Sequence, residues 1–321
     1  MCSDLVTSCD HCRLFPQRCI SNSPTQAIAC LLGEAGILNW SLNEKQVKFF
    51  NEEGYLVLPG VFDEQEVRRM RVEADYVLEV ILNSSVANNR RSGRLDWLED
   101  DEGHQHVRKI QPINDLSLYL ATVSEDNRLL QPMRDIMGEE PVLMEEKLNY
   151  KQPLKSRVEG VEIRKGIDDR FPIHHDFAYY AAQNYPQSII SSAIAIDECT
   201  VDNGPLHIWP GTHRTNMEHE SCSLGLQVKE GLIDANGGSD VLVPPGSVMF
   251  FHSLLVHNSR RNSTDFPRRL MIYSHYPKSF SMCFDVRNGP TRLREAPWEH
   301  EYFRMKDHGK FEDVFHSPTY E

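Results

Sequence analysis

From residue 141 onward the chain is cut into short pieces. Turn-forming clusters recur at Asn203-Gly204-Pro205, Pro210-Gly211, Gly237-Gly238 and Pro244-Pro245-Gly246. Glycine supplies the backbone angles that close a tight turn, and proline cannot continue a ladder of hydrogen bonds. Each cluster therefore ends one extended segment before the next begins. The spacing predicts strands over 142–151, 188–196, 206–209, 240–243, 248–251 and 269–275. Many short strands in succession build a sandwich or a jelly-roll barrel.

The preceding stretch has a different period. Ser41-Leu42-Asn43-Glu44 has the form of a capping box, with Val47 and Phe50 on one helical face beyond it. Gly54 ends that helix, and Tyr55-Leu56-Val57-Leu58 reads as a strand. Asp63 opens a second helix whose stripe runs through Val67, Met70, Ala74, Val77, Leu78 and Ile81. Residues 84–106 are polar and charged, and read either as a solvated loop or as a lid beside a pocket. The expectation is a mainly β fold with flanking helices.

Composition narrows the partners. The 321 residues carry a net charge of −13. An acidic chain is a poor match for nucleic acid or for anionic membranes, which reward clustered Lys and Arg. There is no apolar run long enough to span a bilayer and no signal-peptide pattern, so the reading is a cytoplasmic protein. Five of the eight cysteines fall in the first 30 residues, including Cys9-x-x-Cys12; Cys199, Cys222 and Cys283 are scattered. No second CxxC or His pair follows at finger spacing. Residues 1–40 are therefore expected to form a loosely ordered, cysteine-containing extension, and residues 41–321 one folded domain.

Two distant segments carry chemistry. Phe171-Pro172-Ile173-His174-His175-Asp176 contains a His-x-Asp, and Phe250 to Ser259 contains His252 and His257 before Arg268-Arg269. Two imidazoles and one carboxylate on one side of a ferrous ion leave positions open for a co-substrate and dioxygen. On a strand, His174 and Asp176 share a face while His175 points away. By the same rule Ala178 and Tyr180 share the face of Asp176. His252 and His257 lie five residues apart and face opposite sides, so one of the two reaches the metal.

The motifs in this order resemble the phytanoyl-CoA dioxygenase family of iron(II)/2-oxoglutarate oxygenases. The resemblance spans about residues 41–280 and rests on four stretches. They are Phe49 to Phe62; His174-His175-Asp176; Ala195-Ile196-Asp197-Glu198 through Asn203-Gly204-Pro205-Leu206 to Pro210-Gly211-Thr212-His213; and Gly246 to Arg269. It implies a double-stranded β-helix, the cupin-like jelly-roll. It implies iron(II) on His174, Asp176 and His257, which chooses against His252. It implies 2-oxoglutarate held by Arg268 with Ser259, and it places Lys147 and Asn149 on the co-substrate strand. A guanidinium suits that task because its paired donors match a carboxylate.

The implied activity is a dioxygenase that hydroxylates a small molecule using dioxygen and releases succinate and carbon dioxide. The chain departs from the family in two places. His175 stands where many relatives have Gln, and Ala193 stands where many have a bulky aromatic. Ala193 and Tyr180 are therefore expected at the substrate. Asp176 favours hydroxylation over halide transfer, because halide-transferring relatives replace that carboxylate. A natural-product or secondary-metabolite intermediate is the expected substrate. Alternatives are an acyl-CoA ester substrate, or a non-catalytic jelly-roll that binds metal and 2-oxoglutarate in a regulatory role. The expected assembly is a monomer or homodimer.

Overall fold

The computed structural model describes residues 40–87, 89, 92–99, 105–151 and 169–280. The cysteine-rich extension, Arg157, Arg164, Lys165 and Cys283 lie outside the described residues.

Helix α1 (Glu44–Glu53) leads into strand β1 (Tyr55–Leu58) and helix α2 (Glu64–Ala87). The α1 box is shifted by two residues from the expected Ser41. Asn43 is the N-cap, its side chain accepts from the Gln46 N–H, and the Gln46 side chain answers to the Asn43 N–H. Asp63 and Glu66 make the same reciprocal pair ahead of α2. The stripe read from the sequence of α2 is buried along Val67, Met70, Ala74, Val77, Leu78 and Ile81.

The described part of the charged stretch that follows is not all loop. Strands β2 (Leu95–Glu99) and β3 (Gln105–Ile110) form an antiparallel hairpin. Helices α3 (Leu118–Ser124) and α4 (Asn127–Met137) then precede the long strand β4 (Pro141–Lys151). Next come β5 (Phe171–His174), the single turn α5 (Phe177–Tyr180), β6 (Ile190–Ala195), β7 (Leu206–Ile208), and the hairpin β8 (His219–Cys222) and β9 (Gly225–Val228). The chain closes with β10 (Ser239–Asp240), β11 (Val248–His252), β12 (His257–Ser259) and β13 (Arg268–Pro277). The expected strand at 240–243 shrinks to Ser239–Asp240 plus an isolated bridge from Val243 to Cys199, because Pro244-Pro245 follows at once.

A seven-stranded sheet has the order β1-β11-β6-β13-β4-β3-β2, and a four-stranded sheet the order β10-β7-β12-β5. Alternation along β13 assigns its residues to two layers. Met271 and Tyr273 join Leu148, Ile194 and Phe250 in a core shared with α2, α3 and α4. Leu270 and Ile272 join Ala193, Ala195, Phe251 and, from the smaller sheet, Ile208. The second layer lies between the sheets, where a jelly-roll keeps its ligand. Among the described residues no helix is long and apolar enough to cross a membrane.

Candidate active site

Strands β5 and β12 are antiparallel neighbours, and His174 and His257 are register partners across them. Their ring centroids lie 4.5 Å apart. Asp176 is not on the strand, as simple alternation required. The chain turns helical there (φ −60°, ψ −33°), and this turn brings the carboxylate back to the strand end. Its Oδ1 lies 3.6 Å from His174 Nε2 and 3.8 Å from His257 Nε2. One ligand atom from each of the three residues falls within 4.8 Å of the others, and all three are buried.

The imidazoles are oriented by the backbone. His174 Nδ1 lies 2.7 Å from the Pro172 carbonyl and His257 Nδ1 2.9 Å from that of Leu255. Each Nδ1–H donates to its carbonyl, which leaves both Nε2 lone pairs facing Asp176. Burial, and then the adjacent His174, lower the His257 pKa to about 4, so its ring is in the neutral form that binds metal. Burial alone would raise the Asp176 pKa. The Lys147 ammonium, first among the opposing influences, outweighs it and holds the carboxyl below the usual range. His252 is elsewhere: its Nδ1 accepts from the Leu254 N–H and its ring packs on His213. His175 points away from the cavity, with Nε2 on the Met217 carbonyl and its ring on His219.

These three residues open onto a cavity of about 300 Å³. Arg268 and Ser259 form one end of it, and Lys147 and Asn149 line the β4 side. Arg268 is 1% exposed. Its Nη2 donates to the Gly204 carbonyl at 2.8 Å, while Nε and Nη1 are buried with no partner among the described residues. The neighbouring Arg269 takes the other face. It donates through Nε and Nη2 to the two oxygens of Asp197, at 2.8 and 3.0 Å, and it also bonds Asp75.

Tyr180 lines the cavity, but through a helical turn and not through strand alternation. The same turn brings Tyr179 to the wall as well. Tyr180 Oη donates to Glu145 Oε2 at 2.5 Å, and Lys147 Nζ lies 3.4 Å from that oxygen. Burial opposes the charged form of Lys147, yet Asp176 and Glu145 overcome it and keep the amine protonated. Ala193, expected at the substrate, is not part of the wall. It is 3% exposed inside the apolar layer between Met249 and Ile272, while Phe251 and Ile272 line the cavity.

Sequence reasoning missed several wall residues: Asp96, Arg108, Lys109, Gln111, Glu145 and Tyr179. Glu145 was legible, since it shares a face of β4 with Lys147 and Asn149. The hairpin β8–β9 covers part of the opening. Leu226 N–H donates to Tyr179 Oη at 2.9 Å, and Arg108 Nη1 donates to the Leu224 carbonyl at 3.3 Å.

The family model for phytanoyl-CoA dioxygenase (PhyH) matches residues 50–270. The chain belongs to this family. Within PhyH, it is 26% identical to ectoine dioxygenase of Sphingopyxis alaskensis, over 80% of this chain and 82% of that one. It is 26% identical to the peroxisomal phytanoyl-CoA dioxygenase of Mus musculus, over 76% of this chain and 71% of that one. In fold it is similar to the S. alaskensis EctD crystal structure with 2-oxoglutarate and 5-hydroxyectoine. The TM-score is 0.58 at 24% identity, over 77% of this chain and 80% of that one.

A PhyH-family chain with this site is an iron(II)- and 2-oxoglutarate-dependent dioxygenase. The donor set fits both groups. Two neutral imidazoles and an ionised carboxylate suit ferrous iron. The unpartnered nitrogens of Arg268 suit the free carboxylate of a keto diacid.

Proposed function

We propose that His174, Asp176 and His257 hold the iron(II), that Arg268 and Ser259 hold the distal carboxylate of 2-oxoglutarate, and that Lys147 and Asn149 complete the co-substrate pocket. One observation carries this reading. Arg268 lines the same cavity as the three metal-type ligands and carries two buried nitrogens with no partner among the described residues. A buried guanidinium left short of acceptors costs free energy, and a dicarboxylate removes that cost.

When bound, iron, 2-oxoglutarate and dioxygen supply the oxidant for hydroxylation, with succinate and carbon dioxide released. The protein's residues orient and protect. The Pro172 and Leu255 carbonyls fix the tautomers of the two histidines. Lys147 keeps Asp176 ionised. Tyr180, held on Glu145, bounds the substrate side, and β8–β9 shields it from water.

The substrate is a small molecule, such as a natural-product intermediate. A chamber of about 300 Å³ lies at the low end for ligand pockets, and it must also hold the co-substrate. An acyl-CoA ester therefore fits poorly, whatever the mouse relative acts on. A purely regulatory role would free the chain to lose a ligand or Arg268, and all are in place. We further infer a cytoplasmic enzyme with reduced thiols, consistent with free Cys199 and Cys222. A monomer or homodimer suffices, since one chain supplies every described wall residue. The oxygenase domain takes residues 41–321 and the cysteine-containing extension residues 1–40.

The test is anaerobic addition of iron(II) and 2-oxoglutarate. A visible metal-to-ligand charge-transfer band is expected, absent in Asp176→Ala and requiring about tenfold or more 2-oxoglutarate in Arg268→Lys. No band and no succinate from the intact protein would overturn the reading.

A further inference from the structure

The hairpin missed at 84–106 supplies the substrate side of the cavity with charge. Strands β2 and β3 run in register from Leu95↔Ile110 to Asp96↔Lys109. The next pair is Trp97↔Val107, so Arg108 is an extra residue, a β-bulge. Its effect on side-chain direction is direct. Val107 and Ile110, flanking the bulge, both enter the core, at 4% and 0% exposed. Arg108 and Lys109, consecutive in sequence, both face the cavity. A regular strand sends only one of two neighbours to a given face.

The two cations are not equivalent. Arg108 is occupied. Its guanidinium reaches both oxygens of Asp96 at 3.1–3.4 Å, donates to the Leu224 carbonyl, and lies 4.6 Å from the centre of the Phe171 ring. Lys109 Nζ has only a distant share of the same carboxylate, 3.9 Å from Asp96 Oδ2, and makes no hydrogen bond among the described residues. Among the described residues, Asp96 is the carboxylate that both cations approach. Deeper in, Lys147 is matched by Glu145 and Asp176. Arg268 is reserved for the co-substrate.

Lys109 is also placed for a ligand. It is the register partner of Asn149 on β4. Two residues along the chain, Gln111 lines the same wall. Desolvation, and then the proximity of Lys147, lower the Lys109 pKa, and Glu145 and Asp96 offset this only in part. An anion against it supplies further compensation.

We propose that Lys109 binds an oxyanion of the substrate, so that the enzyme oxidises a small organic acid. The proposal rests on the iron and 2-oxoglutarate reading above. The chemistry is that of a carboxylate or a phosphonate; size limits the rest of the molecule.

The experiment uses full-length protein loaded anaerobically with iron(II) and 2-oxoglutarate. Probes are straight-chain carboxylates from acetate to hexanoate, the matching alkylphosphonates, the matching primary amides and the matching amines. Two readouts are followed: perturbation of the charge-transfer band, and succinate formation after air is admitted. The expected result is a response at millimolar concentration to one oxyanion series, with the better series naming the group. Amides and amines of the same length give none. Lys109→Met should weaken that response at least tenfold, and Lys109→Arg should keep most of it, while the band of bound 2-oxoglutarate is unchanged in both.

The inference is overturned if no oxyanion perturbs the band, if amides act as well as acids, or if Lys109→Met responds like the parent. The acid-against-amide comparison stands on the parent protein alone, should the variant fold poorly. Loss of the band before any probe is added would instead strike at the iron and 2-oxoglutarate reading.

Discussion

Lys147 Nζ stands 3.7 Å from Asp176 Oδ2. A lysine thus lies beside the carboxylate proposed to hold iron, and it is the first favourable influence keeping that carboxylate ionised. Lys147→Met should raise the Asp176 pKa and make protons compete with the metal. Iron(II) affinity should fall about 10- to 100-fold, the usual effect of removing a group that supports a ligand. The loss should deepen as pH falls. A chelator-competition titration between neutral and mildly acidic pH checks this. Affinity that stays level with the parent across that range would rule it out.

Arg268 and Arg269 are adjacent and should fail in opposite ways. Arg268→Met removes the group facing the cavity and should raise the KM for 2-oxoglutarate about tenfold or more, with little loss of stability. Arg269→Met strands the carboxylate of Asp197, which is 8% exposed, although Arg71 remains 3.1 Å from it. Breaking a buried pair from one side costs about 3–5 kcal/mol, somewhat less with a second partner present. The KM of the surviving folded enzyme should be nearly unchanged. Denaturant midpoints and co-substrate kinetics on both variants separate the two roles.

Gly204 is a tight backbone position beside Arg268. It sits at φ +71°, and a Cβ there would lie 2.1 Å from the Arg260 carbonyl oxygen and 2.8 Å from Lys151 Cδ. Its own carbonyl anchors Arg268 Nη2. Gly204→Ala should cost about 1–3 kcal/mol in strain and also raise the KM for 2-oxoglutarate. A variant with the parent's urea midpoint and KM would refute both claims.

Acid should destabilise the metal-free protein through two buried histidines. His175 and His252 each have their pKa lowered to about 4, first by burial and then by neighbouring histidines. In the unfolded chain they take up protons from about 6.5 downward. Their contribution is therefore full above about pH 6.5 and is lost as pH falls toward 4. For His175, which is 0% exposed, the loss is on the order of 3 kcal/mol. Urea midpoints should drop between pH 7 and 5. His252→Asn should flatten part of that slope, since Asn can still accept the Leu254 N–H. A midpoint independent of pH over this interval would contradict the assignment.

The legible parts of the fold are those with one period and a burial bias. The α2 stripe and the strands around 142–151, 248–251 and 269–275 needed nothing more. The β2–β3 hairpin was hidden because it is charged and bulged, so neither alternation nor apolarity marked it. Asp176 was grouped with His174 for an incomplete reason: the strand ends between them. Lys147, Asn149, Ser259 and Arg268, singled out by strand alternation and family likeness, line the cavity. Lys109 could not be read this way, since the bulge overrides the alternation rule one residue before it. Ala193 failed because register with Met249 and Ile272 decides which side chain forms the wall.

The pairing of His174 with His257 across β5 and β12 has a consequence for biogenesis. A slip of one residue in that pair turns side chains to the opposite face. One of the two imidazoles would then turn away from the metal point, leaving an incomplete ligand set. A metal that needs the complete set therefore favours the correct pairing, since whatever binds only the native form stabilises it.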